Sequence, residues 1–190
     1  MAALAEIRRF PAASAERGLR RKPEPRHVGR MSKRSSQSDP VAAGPAPHQV
    51  MRRLVVATRG PGLTDVTREV AEALRDGAAG DGLLTLFVRH TSASLTIQEN
   101  ASPEVRLDLV DALDRLAPRE GGWRHDLEGP DDMPAHVKAV LTGASLSVPV
   151  LGGRPALGQW QALYLIEHRD RPHDREIVIH FIGTRDDGLR

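Results

Sequence analysis

A chain of 190 residues with a formal charge of +2, 3% aromatic residues and no cysteine has room for one domain of ordinary size, and it excludes disulfides and thiolate metal ligands. No run reaches the roughly 20 apolar residues of a membrane span, and none near the N-terminus forms the apolar core of a secretory signal. A soluble, cytoplasmic protein is therefore expected, in which any metal must rest on His, Asp or Glu.

The charge is unevenly placed. Residues 1–50 carry 10 Lys and Arg against 4 Asp and Glu, which leaves 17 against 21 for the rest of the chain. Pro, Ala, Ser and Arg are scattered there without periodicity, so a disordered basic extension is expected over 1–50 and a single domain over 51–190. Met31 and Met51 both mark places where a shorter reading frame could begin. Few aromatics and interleaved acids make the tail a poor nucleic-acid binder.

"MRRLVVAT" opens the domain as a strand, and "GLTDVTREVAEALRDG" follows as a helix with Val66, Val70 and Leu74 on one face and Gly77 beyond it. "GLLTLFVRHTSASLTIQEN" reads as one long strand or two consecutive ones. In "SPEVRLDLVDALDRLAP" Ser102 can cap, Pro103 suits the first helical position, and Val105, Leu109, Ala112, Leu113 and Leu116 form a stripe. Asp132 can cap a third helix, with Met133, Val137, Val140 and Leu141 as its apolar stripe and Gly143 as its stop. Thereafter "SLSVPVLGGRPAL" forms two strands about a Gly-Gly turn, followed by the strands "QWQALYLIEHRD" and "REIVIHFIGT". This order predicts an α+β fold, a largely antiparallel sheet or sandwich with about three helices.

The loop "WRHDLEGPDDMPAHVK" gathers Asp126, Glu128, Asp131 and Asp132 between His125 and His136. Like charges at this density repel unless a cation compensates. Asp132 and His136 stand four apart on one helical face, so the carboxylate can orient the ring or share an ion with it. A turn at Gly129-Pro130 can return His125 toward His136. The bland reading makes Asp131 and Asp132 helix caps, and Asp126 and Glu128 a solvated turn.

His90 and His168 each end an apolar strand where the chain turns polar, whereas His180 lies inside "IVIHFIG" and reads as a satisfied core histidine. Convergent imidazoles with a carboxylate and an open position constitute a catalytic metal site for Zn, Mn or Mg. Ser92 and Ser94 near His90 lack a nucleophile elbow. Lys138, the only lysine after residue 50, and Arg89, Arg154 and Arg169 are candidate anion contacts.

"HTSASLTIQENASPEVRLDL", "HDLEGPDDMPAHVKAVLTGASLSVPVLGGRPALGQWQALYLIEHRD" and "IVIHFIGT" resemble the YjbQ family, often labelled secondary thiamine-phosphate synthase, over residues 51–184. The resemblance implies an α+β fold rich in antiparallel strands, a homotrimer, and a pocket near the shared histidines that can hold a metal. It also implies a weak ability to join hydroxymethylpyrimidine diphosphate to thiazole phosphate with release of diphosphate. His90, Thr91, Ser92, Asn100, His125, Asp126, Glu128, Asp131, Asp132, His136, Trp160, Gln161, Glu167, His168 and Arg169 match the family pattern, whereas Ser102, Gln159 and Thr184 depart from it. The expected mechanism places a divalent ion on His125, His136 and His168 and a phosphorylated substrate near Lys138 or Arg169. Asp126 or Glu128 stabilises developing positive charge there, and His90 moves a proton or serves as a further ligand. The rival expectation is a non-catalytic trimeric module that holds a phosphate or nucleotide in the same pocket.

Overall fold

The structure is a computed structural model that describes residues 48–188. The disorder expected for residues 1–50 lies outside the described residues except for the last three of them. Strand β1 (His48–Ala57) begins three residues before Met51, and Val50 is buried at 6% exposure with its backbone paired to Phe181.

The remaining elements are β2 (Gly62–Asp65), α1 (Thr67–Asp76), β3 (Ala79–Val88), β4 (Ala93–Glu99), α2 (Pro103–Leu116) and α3 (Asp132–Thr142), then β5 (Ser145–Leu151), β6 (Arg154–Pro155), β7 (Gln161–Glu167) and β8 (Asp174–Arg185). They form a five-stranded sheet in the order β1-β8-β3-β5-β6 and a three-stranded sheet in the order β2-β7-β4, with every pairing antiparallel. The fold is α+β, as expected, with three helices among the described residues. "GLLTLFVRHTSASLTIQEN" is two strands in different sheets, with the chain crossing between layers at His90–Ser92. β2 is a strand where the start of a helix was expected: Gly62–Asp65 pairs with Tyr164–Glu167, and α1 starts only at Thr67.

Alternation builds the larger sheet. On β8, Ile177, Ile179 and Phe181 point inward and Val178, His180 and Ile182 outward, which is the period-2 consequence of the pleat. Leu84, Leu86 and Val88 of β3 and Val148 and Val150 of β5 share that inner face and meet Leu95, Leu163 and Leu165 of the smaller sheet, with Val70 and Leu74 of α1 closing the cluster. Each such side chain contributes about 1.5–3 kcal/mol on burial. Gly152 and Gly153, at φ 54° and 74°, make the left-handed turn that the β5–β6 hairpin requires.

Three local expectations are corrected. His180 is not in the core; its ring sits on the outer face within 3.3 Å of Gln49 Oε1. α2 carries no buried residue: Val105, Leu109, Ala112 and Leu113 are half-buried and Leu116 is 66% exposed. Most informative is α3, where Val140 is 84% exposed and Leu141 57%, while Asp132, Pro134, Ala135 and Lys138 are buried. The helix packs against β4 with Asp132 and Lys138 buried beside Pro134 and Ala135, Met133 and Val137 half-buried, and Val140 and Leu141 outside. Asp131, not Asp132, occupies the cap position, and no side chain caps the helix there.

Candidate metal centre

The centre lies where the residues following β7 meet the first turns of α3 and the preceding loop. Asp132, 1% exposed, is the first residue of α3, and His136 stands one turn later on the same face. His125 returns across the Gly129-Pro130 turn, as the loop reading requires. Its Nε2 lies 2.7 Å from Asp132 Oδ2, His136 Nε2 lies 3.3 Å from the same oxygen, and the two ring centroids are 5.7 Å apart. One ligand atom from each of His125, Asp132 and His136 falls within 4.8 Å of the other two, the group of this kind found among the described residues.

The tautomer of His136 gives this convergence chemical meaning. Its Nδ1 is 2.9 Å from the carbonyl oxygen of Thr91, which can only accept, so Nδ1 carries a proton and donates it. In the neutral ring Nε2 then holds a lone pair aimed at a carboxylate oxygen, and two acceptors face one another. A proton or a cation between them removes the conflict, and a backbone-anchored imidazole is the usual arrangement for a metal-ligating histidine.

Arg169 answers the rest of the loop's negative charge. Nε donates to Asp131 Oδ2 at 2.9 Å, Nη2 donates to the Glu128 carbonyl at 2.9 Å, and Nη1 donates to Asp132 Oδ1. Burial disfavours the guanidinium charge, but the bond to Asp131 and the negative charges of Asp131, Asp132 and Glu128 outweigh it and raise its pKa. Burial likewise pushes the Asp131 carboxyl up, and the Asp170 N–H together with Arg169 brings it below its ordinary value.

Arg169 is itself anchored through Glu167, which is 2% exposed. Glu167 Oε1 accepts the backbone N–H groups of His168 at 3.0 Å and Arg169 at 2.9 Å as well as Arg175 Nη2 at 2.6 Å, and Oε2 accepts Arg175 Nε at 2.7 Å and Thr58 Oγ1 at 2.7 Å. Desolvation alone would raise this carboxyl; Arg175 and the N–H donors reverse it, so Glu167 stays ionised.

His168 does not join the cluster. It is 3% exposed, its Nε2 lies 2.8 Å from Ser94 Oγ, and Thr142 Oγ1 lies 2.6 Å from that same hydroxyl. Burial, reinforced by the Lys138 charge, lowers its pKa to about 4, so the ring is neutral at pH 7. Among the three expected ligands His125 and His136 come together, and Asp132 occupies the third place.

The other expected site residues have separate positions. His90 Nε2 accepts the Glu176 N–H at 2.9 Å, which uses the lone pair that a base or ligand needs; burial and then Arg175 lower its pKa. Lys138 is 6% exposed and its ammonium donates to Asp114, so neither it nor Arg169 is an uncommitted cation waiting for phosphate. Asp126 and Glu128 are exposed on the loop, and Asp126 lines an open cleft of about 470 Å³ with Trp123, Arg119 and His125. Ser94 is fully buried and contacts His168, not His90; Ser92 Oγ accepts Arg175 Nη2 at 3.2 Å.

Sequence reasoning passed over Arg175 and Asp114. Arg175 had a usable signal: it precedes Ile177 by two on a period-2 strand, which places a cation on the inner face where an acid must meet it. Asp114, on the half-wet helix α2, had none.

A sequence model of the family described as "UPF0047 protein YjbQ-like" matches residues 52–184. A UPF0047 protein of Synechocystis sp. is 47% identical over 131 residues, covering 68% of this chain and 89% of that protein. UPF0047 protein YjbQ of Escherichia coli O157:H7 is 41% identical over 133 residues, covering 70% and 96%. Among solved structures, a YjbQ/UPF0047 family protein from Clostridium acetobutylicum superposes with a TM-score of 0.64 at 34% identity, covering 69% of this chain and 99% of that one. These names carry no activity; they establish family and fold. Over residues 52–184, which hold the paired sheets and the loop that gathers the acids and imidazoles, the chain belongs to the UPF0047/YjbQ-like family.

Proposed function

We propose that the protein is a cytoplasmic, metal-dependent transferase acting on a phosphorylated small molecule, with a weak ability to join hydroxymethylpyrimidine diphosphate to thiazole phosphate. The observation that carries this reading is the convergence of His125, Asp132 and His136 within 4.8 Å, with both rings reaching solvent and the carboxylate buried. In that reaction the bond between the pyrimidine methylene carbon and the diphosphate oxygen breaks, the electron pair leaves with diphosphate, and the thiazole nitrogen bonds to the carbon. A divalent ion held by the three residues would supply Lewis-acid neutralisation of the leaving diphosphate.

The chain's own residues do the remainder. Arg169 fixes Asp132 and the loop carbonyl of Glu128, and the Thr91 carbonyl fixes the His136 ring. Asp126 and Glu128, exposed on the same loop, offer negative charge to a pyrimidine carbon that becomes cationic. Lys138 and Arg169 contribute to the field of the site from within ion pairs and do not touch the phosphates first.

A homotrimer is part of the proposal. The outward face of the five-stranded sheet exposes Met51, Val55, Leu83, Phe87 and Ile182, an apolar surface of the kind that associating chains cover. No described helix is long and apolar enough to cross a membrane.

Diphosphate release from hydroxymethylpyrimidine diphosphate, measured with metal-loaded and chelated protein, tests the reading. Release that depends on metal and is lost in His136→Ala supports it. Tight phosphate binding without turnover by fully loaded protein favours the trimeric binding module. Light scattering of the purified protein at three times the chain mass supports the trimer; monomer mass counts against it.

A further inference from the structure

Asp132 offers the centre one oxygen, not two. Oδ2 faces His125 Nε2 at 2.7 Å and His136 Nε2 at 3.3 Å, whereas Oδ1 is taken by Arg169 Nη1. That guanidinium has little freedom to release it. Its Nε is held by Asp131 and its Nη2 by the Glu128 carbonyl, each at 2.9 Å. The backbone N–H of Arg169 donates to Glu167, whose carboxylate is locked by two bonds from Arg175 at 2.6 and 2.7 Å. Asp132 is buried at the start of a helix, so it cannot swing to present both oxygens without breaking this chain of contacts.

Ions differ in what they ask of a carboxylate. Calcium, magnesium and manganese prefer six or more oxygen donors, and calcium in particular takes bidentate carboxylates. Zinc is satisfied by two imidazoles, one carboxylate oxygen and a single open position. Asp126, Glu128 and Asp131, the other loop acids, do not bring oxygens into the converging group.

We infer that the centre is a four-coordinate His-Asp-His zinc site in which Arg169 is a positioning residue, denying the second oxygen of Asp132 and so setting the choice of ion. The inference rests on the metal centre proposed above and sharpens it to one chemistry. Zinc exceeds manganese in raw affinity at most nitrogen and oxygen sites, so the informative quantity is how their ratio changes when Arg169 is altered.

The test uses the full chain, stripped with chelator and checked for its native circular dichroism. Cobalt(II) is added as a spectroscopic substitute for zinc, and zinc and manganese affinities are measured by competition with a chromophoric chelator. The wild type should give the intense visible absorption of four-coordinate cobalt. Arg169→Gln, which frees Oδ1, should shift the spectrum toward the weak six-coordinate form, lower zinc affinity by about 10- to 100-fold, the usual effect of losing an outer-shell partner, and lower the zinc-to-manganese affinity ratio with it. If that variant does not fold, Arg169→Met, which fills the space and has no donor for Oδ1, carries the same comparison. A six-coordinate spectrum in the wild type overturns the inference, as does an unchanged ratio in folded Arg169 variants. A wild type that takes up neither cobalt nor zinc overturns the proposed metal centre itself.

Discussion

The inner face of the five-stranded sheet is apolar except for Arg175 at its end, whereas the inner face of α3 sets two buried charges beside Pro134 and Ala135. Leu84, Leu86, Ile177 and Phe181 are at most 1% exposed and apolar; Asp132 is 1% and Lys138 6% exposed, and both are charged. Burial of the first kind contributes directly to stability through removal of apolar area from water. The second kind costs desolvation that a partner must offset, and each buried charge here has one: Asp132 has Arg169, Lys138 has Asp114, and Glu167 has Arg175. α3 leaves Val140 and Leu141 exposed while burying two ion-paired residues beside Pro134 and Ala135.

Substitutions separate the two regions, beginning with the largest effects. Phe181→Ala removes a fully buried ring and should lower unfolding free energy by about 3–5 kcal/mol in urea titration, with no change in metal selectivity. Arg175→Leu should cost a comparable amount, about 3–5 kcal/mol, because it strands the Glu167 carboxylate. Replacing both members, as Arg175→Leu with Glu167→Leu, should recover only part of that loss, because the His168 and Arg169 N–H groups and the Thr58 hydroxyl then lose their acceptor, whereas no second change of that kind is expected to rescue Phe181→Ala.

Acid distinguishes the regions next. His168 has a pKa of about 4 in the folded protein against 6.5 in an unfolded chain. Between those values the unfolded chain binds the extra proton, so stability falls as pH drops from about 6.5 toward 4 and levels off below, by about 3 kcal/mol when complete. Urea midpoints across this range should show the slope in the wild type and a shallower one in His168→Gln. The smallest effect belongs to the outward face of α3: Val140→Gln should change stability by less than about 0.5 kcal/mol, since the side chain is 84% exposed.

The reversal on α3 also explains what could be read from the sequence. Alternation in β3, β5 and β8 and the Gly-Gly turn identified those strands, because in them local pattern and burial agree. On α3 a stripe of Met133, Val137, Val140 and Leu141 satisfies helical periodicity, yet the protein buries Asp132, Ala135 and Lys138 instead. Periodicity reports which face would pack best, and here the ion pairs of Asp132 and Lys138 with residues outside the helix set the face that is buried. β2 was missed because Gly62–Asp65 is short and gains strand character only from β7. For the centre, the four-residue spacing of Asp132 and His136 and the Gly-Pro turn sufficed to bring His125, Asp132 and His136 together. His168 was grouped with them because strand ends often carry site residues. Its distant partner Ser94, 74 residues away in sequence, turned it to a different place.

The most direct measurement of the central claim is a zinc titration of chelator-stripped protein alongside Asp132→Asn and His136→Ala. The wild type should bind about one zinc per chain. Both variants should lose affinity by more than the roughly 10- to 100-fold caused by removing an outer-shell partner. A wild type that binds no zinc, or variants that keep wild-type affinity, would contradict it.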